Sequence, residues 1–297
     1  MDKNLRCKKY TRYNYPMKTV LLATEAMHTR FELVLEGERE DQLLAAGEAA
    51  LAEIDEVERQ LSAYDSGSDL WAINAEAAQR PVRVRPTTLA FLREAKELTQ
   101  RTDGAFDPTI GALIALWRGD EEPNEESVAH ALSQTGWENI VLDDDNNSVA
   151  RVLWGVRLDP GAIGKGWALD RARDILEEAG VTRALLHGGT SSVVALGEGW
   201  KVALAEGPTL TLSNQCLGVS APSGRWTVFG QRRYGHVLNP KTGWPVEATA
   251  WAAVIAPTAT VADALSTALL VRGEGNWEGC HTLLPGDVIL NNTGEMR

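Results

Sequence analysis

The chain has 297 residues, of which 44% are hydrophobic and 24% are charged, so its composition is that of a globular protein large enough to bury a full core. The formal net charge of -12 and the lack of a basic cluster argue against a nucleic-acid partner. Three widely spaced cysteines match neither a disulfide framework nor a zinc site.

The N-terminal residues carry positive charge, but no apolar segment behind them is long enough for a signal peptide or a membrane anchor. We therefore predict a loosely ordered extension over residues 1–25, a cytoplasmic location and no membrane insertion. Residues 26–297 are predicted to form a single domain, because no repeat or low-complexity linker divides them.

The spacing of apolar residues predicts the elements in chain order. Helical spacing predicts helices over 39–61, 87–102, 125–134, 165–179 and 260–271. Alternation and β-rich composition predict strands over 29–35, 183–187, 192–196, 200–204, 210–217 and 282–290, and a turn at 143–148 predicts a hairpin between 139–142 and 149–158. Because helices and hairpins are segregated rather than arranged as βαβ units, the predicted class is α+β.

Two glycine-rich segments place a carboxylate near a turn. In residues 104–111, Asp107 precedes a proline and is therefore extended or in a turn, where an Asx-turn is a simpler interpretation than a site. In residues 159–170, three glycines and Lys165 precede a predicted helix, and a helix N-terminus with an ammonium favours an anion. The spacing does not match a P-loop, and Asp159 as a turn residue with Lys165 as a solvated helix start is the alternative.

Two further motifs lie in the C-terminal part. Residues 219–224 are followed by 234–243, where His236 precedes an Asn-Pro-Lys-Thr-Gly turn, although a single histidine is more often structural than catalytic. Asp263 and Thr267 lie four residues apart on one face of a helix of small and apolar residues. A carboxylate there is costly unless it is compensated, and a hard cation with oxygen ligands would compensate it, whereas a helix cap is the alternative.

Taken together and in this order, the motifs resemble those of the ApbE family of flavin transferases. The resemblance runs from about Ala26 to Gly273 and rests on residues 26–31, 61–64 with Ser68 and Asn74, 104–109, 159–166 with Asp170, Ser223-Gly224, 236–243 and 262–267. It implies an α+β roll with antiparallel or mixed sheets and flanking helices. It also implies an enzyme that transfers FMN from FAD to a Thr or Ser hydroxyl of an acceptor flavoprotein subunit and releases AMP.

The resemblance also assigns roles to residues of this sequence. It implies that FAD, the substrate, is contacted by Met27, Tyr64, Ala105, Phe106, Asp107, Asp159 and Lys165. A magnesium ion would be bound by the Ala162 carbonyl, Asp263 and Thr267, and His236 and Asp263 would be the catalytic residues.

Three departures from the family pattern keep alternatives open. The loop 187–192 lacks the acidic residue that the family usually has after two glycines, His28 replaces a glycine, and Asn239 replaces an aspartate. Loss of a carboxylate near the expected metal would weaken cation binding or alter the acceptor. An FAD pyrophosphatase that yields FMN and AMP, or a flavin-binding protein with reduced catalysis, is therefore the alternative to a transferase.

Overall fold

A seven-stranded sheet covered by helices on one face forms the centre of the molecule, which a computed structural model describes over residues 17–205, 207–222, 226–247 and 251–285. The helices are α1 (Glu40–Leu61), α2 (Asp69–Glu76), α3 (Pro86–Arg101), α4 (Gly111–Trp117), α5 (Glu125–Leu132), α6 (Gly164–Glu178) and α7 (Ala259–Arg272), with a 3-10 turn at Trp137–Asn139. The strands are β1 (Lys18–Ala26), β2 (Thr29–Gly37), β3 (Val82–Arg83), β4 (Ile140–Asp143), β5 (Ser148–Arg151), β6 (Ala184–Gly188), β7 (Ser192–Leu196), β8 (Trp200–Ala203), β9 (Thr209–Leu212), β10 (Gln215–Ser220), β11 (Trp226–Phe229), β12 (Arg232–Gly235), β13 (Ala252–Ala256) and β14 (His281–Leu283).

The central sheet has the order β1-β2-β6-β7-β10-β13-β14, and neighbouring strands are antiparallel. Smaller sheets are formed by β3-β5-β4, β8-β9 and β11-β12. The first hairpin turns at Met27 and His28, which have positive φ values of 51° and 58°. Two successive residues of this kind give the turn the twist that antiparallel neighbours need.

The large core lies between the central sheet and helices α1, α6 and α7. In α1, Leu43, Ala50, Ile54 and Val57 are buried at helical spacing and face this core. Side chains of a strand alternate between faces, so Leu186 of β6 lies in the same core while its neighbour packs on the other side of the sheet. The helices therefore take their positions from one apolar face of the sheet.

Two smaller apolar clusters complete the packing. The hairpin β8-β9 covers the second face of the central sheet through residues such as Val202 and Leu210. The Trp117 cluster joins α4, α5 and the β11-β12 hairpin, and consists of Leu113, Trp117, Val128, Ala131, Phe229 and Leu238. Through Leu238, the Trp117 cluster holds the segment that contains His236.

The α+β class and the five predicted helices are confirmed, with ends displaced by no more than a few residues. The predicted extension over residues 1–25 is wrong from Lys18 onward, because 18–26 pair with β2 as an edge strand of the central sheet. The predicted strand over 210–217 is two strands in different sheets, separated at Asn214, whose φ is 49°. The second hairpin strand ends at Arg151 rather than at 158, because a turn follows it.

Elements of short or weak periodicity did not emerge from the sequence: β1, β3, β11, β12, β13, α2 and α4. Residues 1–16 and 286–290, on which parts of the predicted extension and of the last strand fall, lie outside the described residues. The assignment of 26–297 to a single domain stays a prediction.

Candidate functional site

Two backbone hydrogen bonds join the segment 104–111 to residues 157 and 159, at the start of the second glycine-rich segment. The Asp159 amide donates to the Pro108 carbonyl at 2.8 Å, and the Gly111 amide donates to the Arg157 carbonyl at 2.9 Å. Gly111 is required there, because a Cβ atom would lie 2.7 Å from that carbonyl oxygen. The structure therefore brings the segment 104–111 and the loop 159–164 side by side.

Both aspartates of these segments form Asx-turns. Asp107 accepts from the Thr109 amide and Asp159 from the Gly161 amide, each at 2.8 Å. Burial raises the pKa of Asp107 above its ordinary value, against the opposing hydrogen bonds from Thr109. The turn interpretation of both residues thus holds for their local conformation, and a ligand role is a separate prediction.

Met27 lies beside Gly164, where the loop 159–164 leads into α6. A Cβ atom on Gly164 would lie 4.0 Å from the Met27 sulfur. The Met27 amide donates to Glu58 Oε1 of α1 at 2.7 Å, which fixes the tip of the first hairpin on α1. The hairpin tip, α1 and the loop therefore meet at one place, and the contact of Met27 with FAD stays a prediction.

Asp263 is the most deeply placed carboxylate of the predicted site, with 5% of its surface exposed. Its Oδ2 accepts from the Gly166 amide at 2.9 Å, and the Ser192 hydroxyl lies 2.8 Å from each of its oxygens. Burial raises the pKa of Asp263 to about 7, against the opposing effects of Lys165, Ser192 and Gly166. This carboxylate therefore lies at the first turn of α6, beside the 159–164 loop.

Thr267 follows one turn later on α7. Its hydroxyl donates to the Asp263 carbonyl at 3.2 Å and lies 3.0 Å from the Ser220 hydroxyl of β10. Among the described residues, no hydrogen bond ends on the Ala162 carbonyl. The predicted magnesium ligands are thus a carboxylate, a hydroxyl and a carbonyl, all of them the hard oxygen donors that fit this cation.

The predicted ligand set lies outside any cluster of acidic or nitrogen ligands that the described residues form. Within the described ranges, no three His, Cys, Asp or Glu side chains form a group suited to a metal ion. Asp263 would therefore supply the only charged side-chain ligand of the predicted set.

Asp170 fixes α7 against α6. Its carboxylate accepts from the Ala259 and Thr260 amides at 2.9 and 2.8 Å and from the Thr260 hydroxyl at 2.6 Å. The Thr258 hydroxyl accepts from the next amide of the helix at 3.2 Å. The first three amides of α7 are thereby satisfied, which is what a helix N-terminus requires.

Glycines permit the close approach of α7 to its neighbours. A Cβ atom on Gly166 would lie 2.8 Å from the Thr260 amide nitrogen and closer still to the Ala259 carbonyl. A Cβ atom on Gly218 of β10 would lie 2.6 Å from the Asp263 amide nitrogen. The glycine after Lys165 in the sequence motif is thus explained by helix packing.

Two predicted residues lie at the surface and not in this buried group. Tyr64 is 67% exposed, and its hydroxyl accepts a hydrogen bond from Arg118. His236 is exposed and follows β12 directly. The turn after it is built as the sequence predicts, with Asn239 Oδ1 accepting from the Lys241 amide at 2.9 Å.

Ala105 and Phe106 are buried, with 3% and 2% of their surfaces exposed, and belong to the large core. The predicted contact of these residues with FAD would therefore be made by their backbone. The Ser223-Gly224 motif lies outside the described residues.

Sequence reasoning missed Ser192 and Glu58 and gave Asp170 no role. Ser192 lies in the loop that lacks the family's acidic residue, and its hydroxyl instead contacts Asp263, 71 positions away. No local pattern signals such a long-range bond. For Asp170 the only signal was its place in the family motif.

Comparisons with known proteins agree along most of the chain. A sequence profile described as the ApbE family matches residues 27–284. The FAD:protein FMN transferase of Klebsiella pneumoniae is 30% identical over 228 residues, which cover 73% of this chain and 71% of that protein. The crystal structure of the ApbE protein from Thermotoga maritima has a TM-score of 0.81 at 28% identity and covers 94% of this chain and 96% of its own. The apo flavinyl transferase ApbE of Pseudomonas stutzeri has a TM-score of 0.74 at 25% identity, with 90% and 95% covered.

These similarities define the class of the protein as an enzyme of the flavin transferase type. The chain belongs to the ApbE family. The predicted ApbE-like fold of helices and antiparallel sheets is confirmed by the structural matches. In the part of the chain that the structure describes, no helix combines the length and the apolar character needed to cross a membrane.

Proposed function

We propose that this chain transfers FMN from FAD to a Thr or Ser hydroxyl of an acceptor protein, in a magnesium-dependent reaction that releases AMP. The observation that carries the proposal is the position of Asp263, a buried carboxylate held by Gly166 and Ser192 at the start of α6. Burying a carboxylate without a compensating cation is costly, and its pKa of about 7 expresses that cost.

The proposed chemistry is a displacement at phosphorus. The acceptor oxygen forms a bond to the FMN phosphorus, the pyrophosphate bond to AMP breaks, and the hydroxyl proton leaves to a base, a role we assign to His236. Such reactions depend on positioning and on charge neutralisation more than on covalent catalysis. When bound, magnesium would neutralise charge on the phosphate oxygens.

In this proposal, each predicted residue has a stated part. FAD is held by Met27, Tyr64, Asp107, Asp159 and Lys165 and by the backbone of Ala105 and Phe106. The cation is held by Ala162, Asp263 and Thr267. Lys165 lies in the first turn of α6, where both the helix terminus and its ammonium favour a phosphate.

We also propose a cytoplasmic location. The two cysteines within the described residues, Cys216 and Cys280, are free and buried. Free thiols are typical of a reducing compartment.

The test is incubation of the protein with FAD, magnesium and a lysate of its source organism as the supply of acceptor. We expect AMP together with a fluorescent flavinylated protein band. AMP with free FMN only would indicate a pyrophosphatase, and neither product would indicate a flavin-binding protein with reduced catalysis.

Two variants test the cation ligands. Asp263→Asn should lower AMP release by about a hundredfold or more, because it removes the charged ligand. Thr267→Ala should lower it less, because water can replace a neutral hydroxyl. Circular dichroism checks the fold of both, and near-wild-type turnover of Asp263→Asn at low magnesium would contradict the proposed cation site.

A further inference from the structure

The backbone that leads into Asp159 is held from two sides. On one side, the segment 104–111 binds residues 157 and 159 through the backbone hydrogen bonds described above. On the other side, the Arg151 side chain binds the backbone of Val156, and the Asn74 side chain binds the backbone of Leu158. The conformation of the 159–164 loop therefore depends on side chains outside the predicted FAD contacts.

Of these two side chains, Asn74 of α2 binds the residue that is nearer to Asp159 in the sequence. Its Nδ2 donates to the Leu158 carbonyl at 2.9 Å, and its Oδ1 accepts from the Leu158 amide at 2.8 Å. One amide side chain thus binds both polar groups of the residue directly before Asp159, as a neighbouring strand would. Asn is suited to this role, because its side chain has a donor and an acceptor side by side.

Arg151 binds both Asn74 and the segment that Asn74 contacts. Its guanidinium donates to the Val156 carbonyl and, at 2.8 Å, to the Asn74 carbonyl. Arg151 is only 6% exposed. Because burial of a charged group is costly unless hydrogen bonds compensate it, these bonds are expected to keep the guanidinium in one position. Arg151 therefore links Asn74 to the backbone at Val156, two residues before Leu158.

We propose that Asn74 is a positioning residue for FAD binding, which acts by fixing the backbone that carries Asp159. The inference rests on the proposed function, since it assigns the loop to FAD. Asn74 need not touch FAD itself. Its loss frees the loop on one side, and a ligand must then order the loop when it binds.

The experiment compares the FAD affinity of purified variants, measured by flavin fluorescence titration, with their urea unfolding midpoints. We expect Asn74→Ala to weaken FAD binding about tenfold, because two hydrogen bonds that preorganise the loop are lost. The matched control is Asn139→Ala. Asn139 also donates from its side chain to a backbone carbonyl, that of Thr135 at 2.9 Å, but does so outside the site.

A purely structural role would lower the unfolding midpoint and leave the FAD affinity of the folded protein unchanged. FAD affinity of Asn74→Ala within about twofold of wild type would therefore overturn the proposal. If this variant does not fold, Asn74→Asp carries the test with the same expectation, because its second oxygen faces the Leu158 carbonyl and cannot donate to it. Failure of both variants to fold would make Asn74 structural and would also overturn the proposal.

The two proposals fail in different ways. A wild type that binds FAD but releases no AMP and flavinylates no protein contradicts the proposed function and leaves the affinity comparison decisive for Asn74. A wild type that does not bind FAD contradicts both.

Discussion

The two halves of the predicted site are built differently. The inner half, where α6 meets α7, consists of buried groups joined by short hydrogen bonds, with Asp170 and Asp263 each accepting from backbone amides. The outer half comprises the exposed residues Tyr64, His236 and Arg232, and Arg232 forms a surface ion pair with Glu122.

Because of this difference, the inner half fixes the geometry of the site, and the outer half faces solvent. Buried contacts in a medium of low polarity are strong and are costly to break, whereas exposed ion pairs add little to stability. The inner half is thus suited to holding a fixed set of oxygen donors. The outer half can therefore change with less loss of stability.

Gly166→Ala is expected to destabilise the inner half more than any other substitution considered below. Alanine favours a helix over glycine by about 1 kcal/mol, but the new Cβ atom would meet the backbone of residues 259 and 260. We expect a net loss of about 3 kcal/mol or more in the free energy of unfolding, measured by urea denaturation. Gly67→Ala is the control, because its Cβ atom would lie 3.4 Å from the nearest atom, an Asp65 oxygen. Equal stability of the two variants would contradict the close approach of α6 and α7.

A smaller effect is expected from Asp170→Asn. The amide cannot accept from all the donors of the α7 terminus, and the loss of a helix cap costs about 1–2 kcal/mol. Asp174→Asn on the same helix is the control, since that carboxylate is half exposed and forms surface ion pairs. Thermal or urea unfolding measures both, and an effect of Asp174→Asn as large as that of Asp170→Asn would count against the capping role.

The stability of the inner half is also expected to depend on pH. Burial raises the folded-state pKa of Asp263 to about 7, so the fold favours the protonated carboxyl, and this contribution to stability is lost as pH rises from about 4 through about 7. We expect the cation-free protein to melt at a lower temperature at about pH 8 than at about pH 5, and Asp263→Asn to reduce that difference.

Glu94 of α3 is the comparison for that measurement. Burial and the nearby Asp170 and Glu97 raise its pKa to about 7, so it contributes with the same sign. Glu94→Gln should remove a smaller part of the pH dependence, because its side chain is partly exposed. A pH dependence that both variants leave unchanged would show that other buried groups cause it.

The smallest effect is expected in the outer half. Glu122 accepts from Arg232 at 2.9 Å and from the Tyr234 hydroxyl, but Arg232 is 73% exposed. Glu122→Gln should leave the urea midpoint unchanged within error at physiological salt, because water and ions screen such pairs. A clear loss of stability would mean that the outer half is as tightly coupled as the inner half.

Sequence reasoning reached the fold class and the long helices because periodicity is a local signal. It brought Asp159, Lys165 and Asp263 to one site through the resemblance to a family, and the structure joins the surrounding segments. It did not find Ser192, whose hydroxyl acts across 71 positions, or the short helix α2, whose eight residues give weak periodicity. Long-range contacts of this kind leave no pattern in a single sequence.

The antiparallel sheet has a consequence for how the chain acquires its shape. The bond from Gly166 to Asp263 spans 97 positions, and β2 pairs with the distant β6. Contacts so far apart along the chain close large loops and form slowly, because the entropy of loop closure precedes the gain from packing. During synthesis, Asp263 emerges long after the loop 159–164, so a ribosome-bound chain has that loop before it has the carboxylate that accepts from Gly166. A premature stop before α7 would accordingly yield a polypeptide without the inner half of the site.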